Sequence, residues 1–280
     1  MSVDLHCHSK ISDGSLGIEE LLTLAKRRGI TGLAITDHDA IVGATRAVII
    51  GKRIGIDVIH GVEFSAYDYA RGRKVHVLAY MCDYPDRLEG LCRKTCAARR
   101  AASTEMVRKV MRYYPIIPDS IARCASGSNA IYKQHIMHAL MDAGYSLTIF
   151  GDVYNKLFSS KNGCAYVGIE YPDVHEVIDL IKSAGGLVVL AHPYSYDSLD
   201  LMEELATANK LDGIEVWRGN HTAEQIAQLS DFAASHGLLM TGGSDFHGMY
   251  SATARPLGTQ APEDTIQKMR AYKAQLKRNG

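Results

Sequence analysis

The sequence has no excess of charge of either sign: 31 Lys and Arg stand against 31 Asp and Glu. That balance excludes a protein that coats long nucleic acid by bulk attraction, though it leaves room for a small anionic ligand or the end of a short strand. There is no apolar run near the ~18 residues of a membrane span. Asp4, His6 and His8 sit where the apolar stretch of a signal peptide would lie, so none is expected. The six cysteines (Cys7, Cys82, Cys92, Cys96, Cys124 and Cys164) contain no C-x-x-C pair. Their spacing excludes a zinc finger, and with no secretory context they read as reduced thiols of a cytoplasmic protein. Also missing are a G-x-S-x-G elbow, a P-loop and a G-x-G-x-x-G fingerprint, which withdraws support from a Ser nucleophile and a dinucleotide cofactor.

What is present is an ordinary globular composition, 46% hydrophobic and 22% charged over 280 residues. A chain of this size buries roughly 75% of its unfolded surface and needs no staple to fold. Seven short apolar or β-branched runs read as strands: Val3–His8, Gly32–Thr36, Val58–Glu63, Lys74–Tyr80, Leu187–His192, Gly213–Trp217 and Leu238–Gly243. Helix-period segments lie between most of them. Ile18–Arg28 puts Ile18, Leu21, Leu22 and Ala25 on one face before Gly29; Val174–Ala184 and Thr222–Ser235 repeat the pattern. Strand and helix in alternation predict an α/β fold with a mostly parallel sheet. Seven units suggest a barrel, and the pattern alone does not exclude an open doubly wound sheet.

One stretch breaks the rhythm. Residues 84–166 are mainly helical and read as an inserted subdomain over a barrel formed by 1–83 and 167–280. Within the insertion, Arg93, Lys94, Arg99, Arg100, Arg108, Lys109 and Arg112 form a basic stretch. It reads either as a solvated helix face or as a cationic cap over an anionic substrate.

The chemistry-bearing residues gather where strands end. Side chains alternate along a strand, so His6 and His8 point the same way and Cys7 the other. A lone His-x-His says little, but similar groups recur. Thr36-Asp37-His38-Asp39 and Glu63 close the second and third runs, and His76 lies in the fourth. His192 closes the fifth, Asp245 and His247 follow the seventh, and Asp13 lies in a turn after the first. Active sites of α/β barrels sit at the C-terminal ends of their strands. His60 has the opposite parity to Glu63 and should face the helices; His138, His175 and His236 read as structural. The nine candidates His6, His8, Asp13, His38, Glu63, His76, His192, Asp245 and His247 exceed the needs of one ion. They fit two or three, with Glu63 able to bridge. Imidazole and carboxylate without thiolate suits Mn, Zn or Fe. Clustered dications suit phosphate-ester hydrolysis: they neutralise the ester oxygens, acidify water and stabilise the leaving oxygen.

The ordered set Asp4-Leu5-His6-Cys7-His8-Ser9, Ser12-Asp13-Gly14, Thr36-Asp37-His38-Asp39, Gly61-Val62-Glu63, Ala191-His192-Pro193 and Gly243-Ser244-Asp245-Phe246-His247 resembles the motifs of the PHP (polymerase and histidinol phosphatase) superfamily. The resemblance implies a distorted seven-stranded (β/α)7 barrel that binds two or three metals. It implies one ion on His6, His8, Glu63 and Asp245, a second on Glu63, His76 and His192, and a third on Asp13, His38 and His247. Within the insertion, Gln134-His135-Ile136-Met137-His138-Ala139-Leu140, Asp142-Ala143-Gly144-Tyr145 and Ala165-Tyr166-Val167 resemble the stand-alone bacterial TrpH-like subgroup, which includes ribonuclease AM and nucleoside 3′,5′-bisphosphate phosphatases. That subgroup usually has Arg-Pro where this chain has Lys133-Gln134, and Thr where it has Ala40. Lys133 can meet a phosphate as a point charge but lacks the bidentate fork of Arg.

The implied activity is a metal-dependent phosphoesterase acting on a nucleotide phosphomonoester (a nucleoside 3′,5′-bisphosphate or a 5′-mononucleotide) or on short oligoribonucleotides from the 5′ end. Water activated by the metals attacks phosphorus. Asp245 or His247 moves protons, and turnover is expected to need Asp245, His247 and His192. Lys133 and His135 from the insertion, and Arg218 and His221 after the sixth strand, are the expected phosphate contacts. The alternatives are a histidinol-phosphate-type phosphatase and a non-catalytic metal-binding PHP module.

Overall fold

The computed structural model describes residues 2–253 and 255–279. Seven strands form one sheet in chain order: β1 (Ser2–Cys7), β2 (Ile30–Ile35), β3 (Asp57–Asp68), β4 (Arg73–Tyr80), β5 (Leu187–Leu190), β6 (Gly213–Trp217) and β7 (Leu239–Gly242). The ten helices among the described residues are α1 (Ile18–Arg27), α2 (Val42–Ile54), α3 (Glu89–Val110), α4 (Pro118–Cys124), α5 (Lys133–Asp142), α6 (Asp152–Phe158), α7 (Val174–Ser183), α8 (Leu199–Thr207), α9 (Ala223–Ser235) and α10 (Thr265–Asn279). The sheet curls so that the chain after β7 reaches β1. The Asp245 N–H donates to the His6 carbonyl at 2.8 Å and the His8 N–H to the Phe246 carbonyl at 2.9 Å.

Most neighbours pair in parallel, as expected, but β4 runs antiparallel to both β3 and β5. The reason is loop length. Four residues, ending in Gly72 at φ +68°, join β3 to β4. A parallel return needs a crossover of a dozen or more residues, so a hairpin is the available solution. β3 therefore extends past Glu63 to Asp68, further than its apolar run suggests.

The apolar residues divide by face. Leu21, Leu22 and Ala25 of α1 pack with Leu33, Ile35 and Cys7 against the outside of β1 and β2. Val177, Ile178 and Ile181 of α7 pack on Phe64, Val77, Val188 and Leu190. Leu5, Ala34, Leu78, Tyr80 and Val189 fill the barrel floor, and Ile266 and Met269 of α10 close it from below. Each such fully buried side chain contributes roughly 1.5–3 kcal/mol of transfer free energy. Helices α3–α6 form a cluster of their own from Met106, Val110, Ile121, Ile136, Leu140, Leu157 and Phe158, joined by Tyr250 from the loop after β7. With the floor filled from below, the mouth at the strand C-terminal ends is the place where polar side chains can converge, and α3–α6 stand beside that mouth.

Candidate metal centre

Strand geometry aims the donors. The β1–β2 register slips between Asp4 and Cys7, where three residues of β1 span two of β2. A bulge of this kind re-aims side chains. It lets Leu5 join the floor while its neighbour His6 reaches the mouth, with Cys7 turned out to the helices. His60 is exposed, as its parity predicts. Three residues at the mouth are held in left-handed backbone: Asp39 at φ +52°, His192 at +28° and Asp245 at +53°. Each such conformation costs on the order of 1–3 kcal/mol, and such costs cluster at functional sites. Gly243 is needed beside them, because a Cβ there would run into the His6 side chain and Glu215 Oε1.

Glu63 is the hub. Its Oε2 lies 3.1 Å from His6 Nε2, 3.2 Å from His8 Nε2 and 3.2 Å from His38 Nδ1; its Oε1 lies 2.8 Å from His76 Nδ1 and 3.0 Å from His192 Nε2. Asp245 Oδ1 is 3.3 Å from His8 Nε2, and Asp13 Oδ1 is 3.3 Å from His247 Nε2. Donor atoms gather in three overlapping groups within 4.8 Å: His6, His8, Glu63 and Asp245; His8, Asp13, His38 and His247; His38, Glu63 and His76. The first repeats the set implied for one ion. His38 joins the group around Glu63 and His76, while His192 meets that pair through Glu63 Oε1.

The residues fit cations by a test internal to the structure. His6 Nε2, His8 Nε2, His38 Nδ1, Glu63 Oε2 and Asp13 Oδ1 are buried and lack hydrogen-bond partners, although they approach one another closely. They crowd without hydrogen-bond alignment, which is costly in the absence of an ion and natural around one. All are nitrogen or oxygen donors of the type divalent Mn, Zn or Fe accept.

Three carboxylates brace this array. Glu215, fully buried in β6, accepts His6 Nδ1–H at 2.9 Å and the His192 N–H at 2.9 Å. It fixes the His6 tautomer with Nε2 free, the outer-partner arrangement common at metal-binding imidazoles. Asp37 accepts from Ser9 N–H, Ser9 Oγ–H and Ser12 Oγ–H at 2.8, 2.6 and 2.7 Å, and so sets the loop carrying Asp13. Asp4 accepts from Ser244 N–H and Oγ–H at 3.0 and 2.6 Å, beside Asp245. The sequence reading assigned no role to Glu215. The available signal was parity: Glu215 alternates with Ile214 and Val216, which pack outward against the helices.

Electrostatics follow from this crowding. Burial alone would raise Glu63, but the neighbouring imidazoles, His6 first and then His76, hold it well below the usual carboxylate range. Burial is likewise overcome at Asp245 by His247, His6 and His8, with Arg218, and at Asp13 by His247 above all. These carboxylates stay ionised and available as ligands. His38 goes the other way: burial pushes it well below 6.5 and keeps the ring neutral.

The mouth opens into two connected cavities. One, of about 300 Å³, is lined by Glu63, His192, Asp245 and His247 together with Ser195, Arg218 and Arg255. Arg218 pairs with Asp245 and donates to Ser195 Oγ; Arg255 lies 3.6 Å from Asp245. The second, of about 170 Å³, lies toward the insertion and includes Lys74, Arg99, Lys133 and several tyrosines. Asp13, His38, His76, Gln134 and Tyr196 line both. Burial lowers Lys133 to about 8, with Lys74 adding to the effect.

Of the expected phosphate contacts, the structure brings Arg218 and Lys133 to these cavities and sets His135 and His221 apart. His135 caps its helix through Nδ1, which accepts the Tyr132 N–H at 3.1 Å, and its ring meets Tyr132 and Tyr250. His221 donates from Nδ1 to the Val216 carbonyl at 2.9 Å and lines a separate cavity with Trp217 and residues 256–260. Of the seven basic residues in and after α3, only Arg99 lines the cleft. The rest follow the helix outward: Arg93, Lys94, Arg100, Arg108 and Arg112 are exposed, and Lys109 donates to the Tyr166 carbonyl. Neither whole-stretch reading holds: the stretch is a solvated face with one inward exception.

Residues 4–183 match the family of the PHP domain. The chain is 38% identical over 252 residues to a phosphoribosyl 1,2-cyclic phosphate 1,2-diphosphodiesterase of Eggerthella lenta, covering 89% of this chain and 95% of that one. It is 31% identical over 254 residues to a 3′,5′-nucleoside bisphosphate phosphatase of Chromobacterium violaceum, covering 88% and 87%. Among solved structures, a Bifidobacterium adolescentis protein described as a metal-dependent phosphoesterase superposes with a TM-score of 0.83 at 33% identity, covering 96% of each chain. Among the described residues, no helix is long and apolar enough to cross a membrane.

Proposed function

The chain belongs to the PHP domain family, and from that premise we propose that it is a metal-dependent phosphoesterase. Its substrates are nucleotide phosphomonoesters (a nucleoside 3′,5′-bisphosphate or a 5′-mononucleotide) or short oligoribonucleotides taken from the 5′ end. One observation carries the reading: five imidazoles, supplied by four strands and the residues just after them, converge within 3.2 Å of the single carboxylate Glu63.

His6, His8, Glu63 and Asp245 would hold one divalent cation, Glu63, His76 and His192 a second, and Asp13, His38 and His247 a third; Mn, Zn and Fe all suit these donors. Cations bound there supply Lewis-acid charge to ester oxygens and lower the pKa of water toward ~7. The protein's own residues do the rest. Glu215 fixes His6 and the His192 backbone, and Arg218 holds Asp245 in place. Arg218 and Lys133 meet phosphate oxygens as cations. Water attacks phosphorus, one P–O bond forming as the ester P–O bond breaks. Asp245 or His247 accepts the water proton, and the departing alcohol takes one up. The free cysteines fit a reducing, cytoplasmic setting.

The test is a substrate panel on Mn-, Zn- and Fe-loaded protein: adenosine 3′,5′-bisphosphate, adenosine 5′-monophosphate, 5′-phosphorylated trinucleotide RNA, a phosphoribosyl cyclic phosphate and histidinol phosphate. Hydrolysis is expected on the nucleotides, and it should collapse in Asp245→Asn and His192→Ala. Turnover confined to histidinol phosphate would move the assignment to that alcohol. No hydrolysis with any metal would leave a binding module and end the proposal.

A further inference from the structure

Apart from the barrel mouth, one other group of metal-ligating side chains gathers among the described residues, and it lies in the insertion. Cys124, His138 and Asp142 each present a ligand atom, and these atoms lie within 4.8 Å of one another. Cys124 is the last residue of α4 and Asp142 the last of α5, so both helices end at the cluster. Helix C-termini carry partial negative charge, which favours a cation there. His138 precedes Asp142 by four residues, and that spacing puts both on one face of α5.

The distances suit an ion. His138 Nε2 lies 3.6 Å from Asp142 Oδ1, and Cys124 Sγ lies 4.0 Å from Asp142 Oδ2. A tetrahedral ion with ligands at about 2.0–2.3 Å has edges of roughly 3.3–3.8 Å between them. The outer partner is in place as well. His138 Nδ1 meets Tyr250 Oη at 2.8 Å, so Nε2 is the nitrogen turned to Asp142. Among the described residues no Lys or Arg pairs with Asp142, and Arg123, next to Cys124, donates to Ser120 Oγ at 3.4 Å. Cys124 is a free thiol, half-buried like His138, while Asp142 is exposed and leaves a path from solvent.

We propose that Cys124, His138 and Asp142 form a zinc site separate from the hydrolytic centre, with solvent in the fourth position. The thiol sets it apart from the barrel mouth, whose donors are imidazole and carboxylate: a thiolate selects zinc over manganese. On binding, a Zn–S bond replaces the Cys124 S–H bond and the proton passes to solvent. The ion pins α4 to α5, and through His138 and Tyr250 it ties both to the short turn Gly248–Tyr250 that follows His247. Its role is that of a staple for the insertion, and it is independent of which phosphate ester the barrel cleaves.

The experiment titrates manganese-loaded protein with cobalt(II) and then displaces the cobalt with zinc. Wild type should develop a near-ultraviolet thiolate-to-cobalt charge-transfer band that saturates at micromolar cobalt and is bleached by zinc. Cobalt exchanged into the barrel mouth gives no such band, because no thiolate belongs to that donor set. Cys124→Ser should lose the band, and His138→Gln and Asp142→Asn should each weaken the site at least about tenfold. Zinc should also raise the urea midpoint of wild type more than that of Cys124→Ser. No band in wild type, a band that survives in Cys124→Ser, or saturation only at millimolar metal would overturn the site. Equal zinc-induced midpoint shifts in wild type and Cys124→Ser would overturn the staple. Asp142 is exposed, so Asp142→Asn keeps the test decisive even where a half-buried variant folds poorly.

Discussion

The two connected cavities are built on opposite principles. On the barrel side, donors sit on short side chains within or just after strands, and several are braced: His6 by Glu215, Asp245 by Arg218, His247 by the Asp245 carbonyl. On the insertion side, Lys74 and Lys133 are long side chains against tyrosine rings with no acidic partner among the described residues. The first region crowds five imidazoles around one carboxylate, and the second sets two ammonium groups against aromatic rings. Rigid placement is what catalysis demands. A pair of lysines can follow ligands of differing shape at modest cost. The comparison teaches that strand parity fixes the donors of the centre, whereas the lysines beside it keep conformational freedom.

The strongest way to break this contrast is to remove the hub. Glu63→Gln keeps size and removes the charge that five imidazoles surround. Turnover should fall by at least about 10³, as for loss of a major electrostatic group, and metal content by elemental analysis should fall with it. Retention of both would mean that the histidines are organised by something other than a shared cation.

Arg99 sharpens the boundary between the regions. It is buried, with its guanidinium on Asp39 Oδ2 at 2.7 Å and Ser65 Oγ at 2.9 Å, and so ties α3 to the loop carrying His38. Arg99→Met leaves Asp39 buried without its partner and should destabilise the protein by about 3–5 kcal/mol. Arg100 is exposed, and Arg100→Ala should cost under about 0.5 kcal/mol. Urea midpoints at pH 7 measure both. Equal shifts would dissolve the distinction between the inward residue and its outward neighbours.

How much of this was legible follows from periodicity. His6 and His8 were readable as one pair because strand parity is strict, and the barrel end was readable because chemistry-bearing residues recurred after apolar runs. The same parity would have exposed Glu215 and Lys74, but each stands within a run that reads as plain strand. Arg99 was recoverable from the helix: Thr95, Arg99, Ala102 and Met106 follow the buried stripe of α3, whereas a count of basic residues treats all seven alike. The β3–β4 hairpin was hidden because strand runs carry no direction. His135 was ambiguous in the sequence because a cap and a phosphate contact use the same kind of nitrogen, and the structure shows the capping bond from Nδ1. The grouping of 84–166 as a unit remains our reading, supported by the separate apolar cluster of α3–α6.

His135 gives the insertion a pH signature of its own. Burial lowers its pKa from 6.5 to about 4, with Asp13 opposing and His138 assisting. Below pH 6.5 the unfolded chain takes up a proton that the folded chain refuses. The stability it contributes is therefore complete above 6.5 and is lost as pH falls toward 4, by up to about 3 kcal/mol at ~1.4 kcal/mol per pKa unit. His135→Gln keeps an acceptor for the Tyr132 N–H and removes the titration. Urea unfolding at pH 7 and pH 4.5 should show a smaller acid loss in the variant. An unchanged loss would assign the acid sensitivity to the carboxylates of the barrel mouth.

Glu215 provides the finest test, because it touches the centre only through other residues. One oxygen accepts His6 Nδ1–H and the other the His192 N–H. Its carboxyl is held below the ordinary range, burial being outweighed by His6 and Arg218. Glu215→Gln offers one oxygen where two were needed, so either the His6 tautomer or the His192 backbone loses its anchor. Loss of such an outer partner typically weakens metal binding 10–100-fold. Competition against a chromophoric chelator measures it directly, without reference to turnover. A purely structural role would move the urea midpoint and leave metal affinity within twofold of wild type. A positioning role moves metal affinity first, before any shift of the urea midpoint.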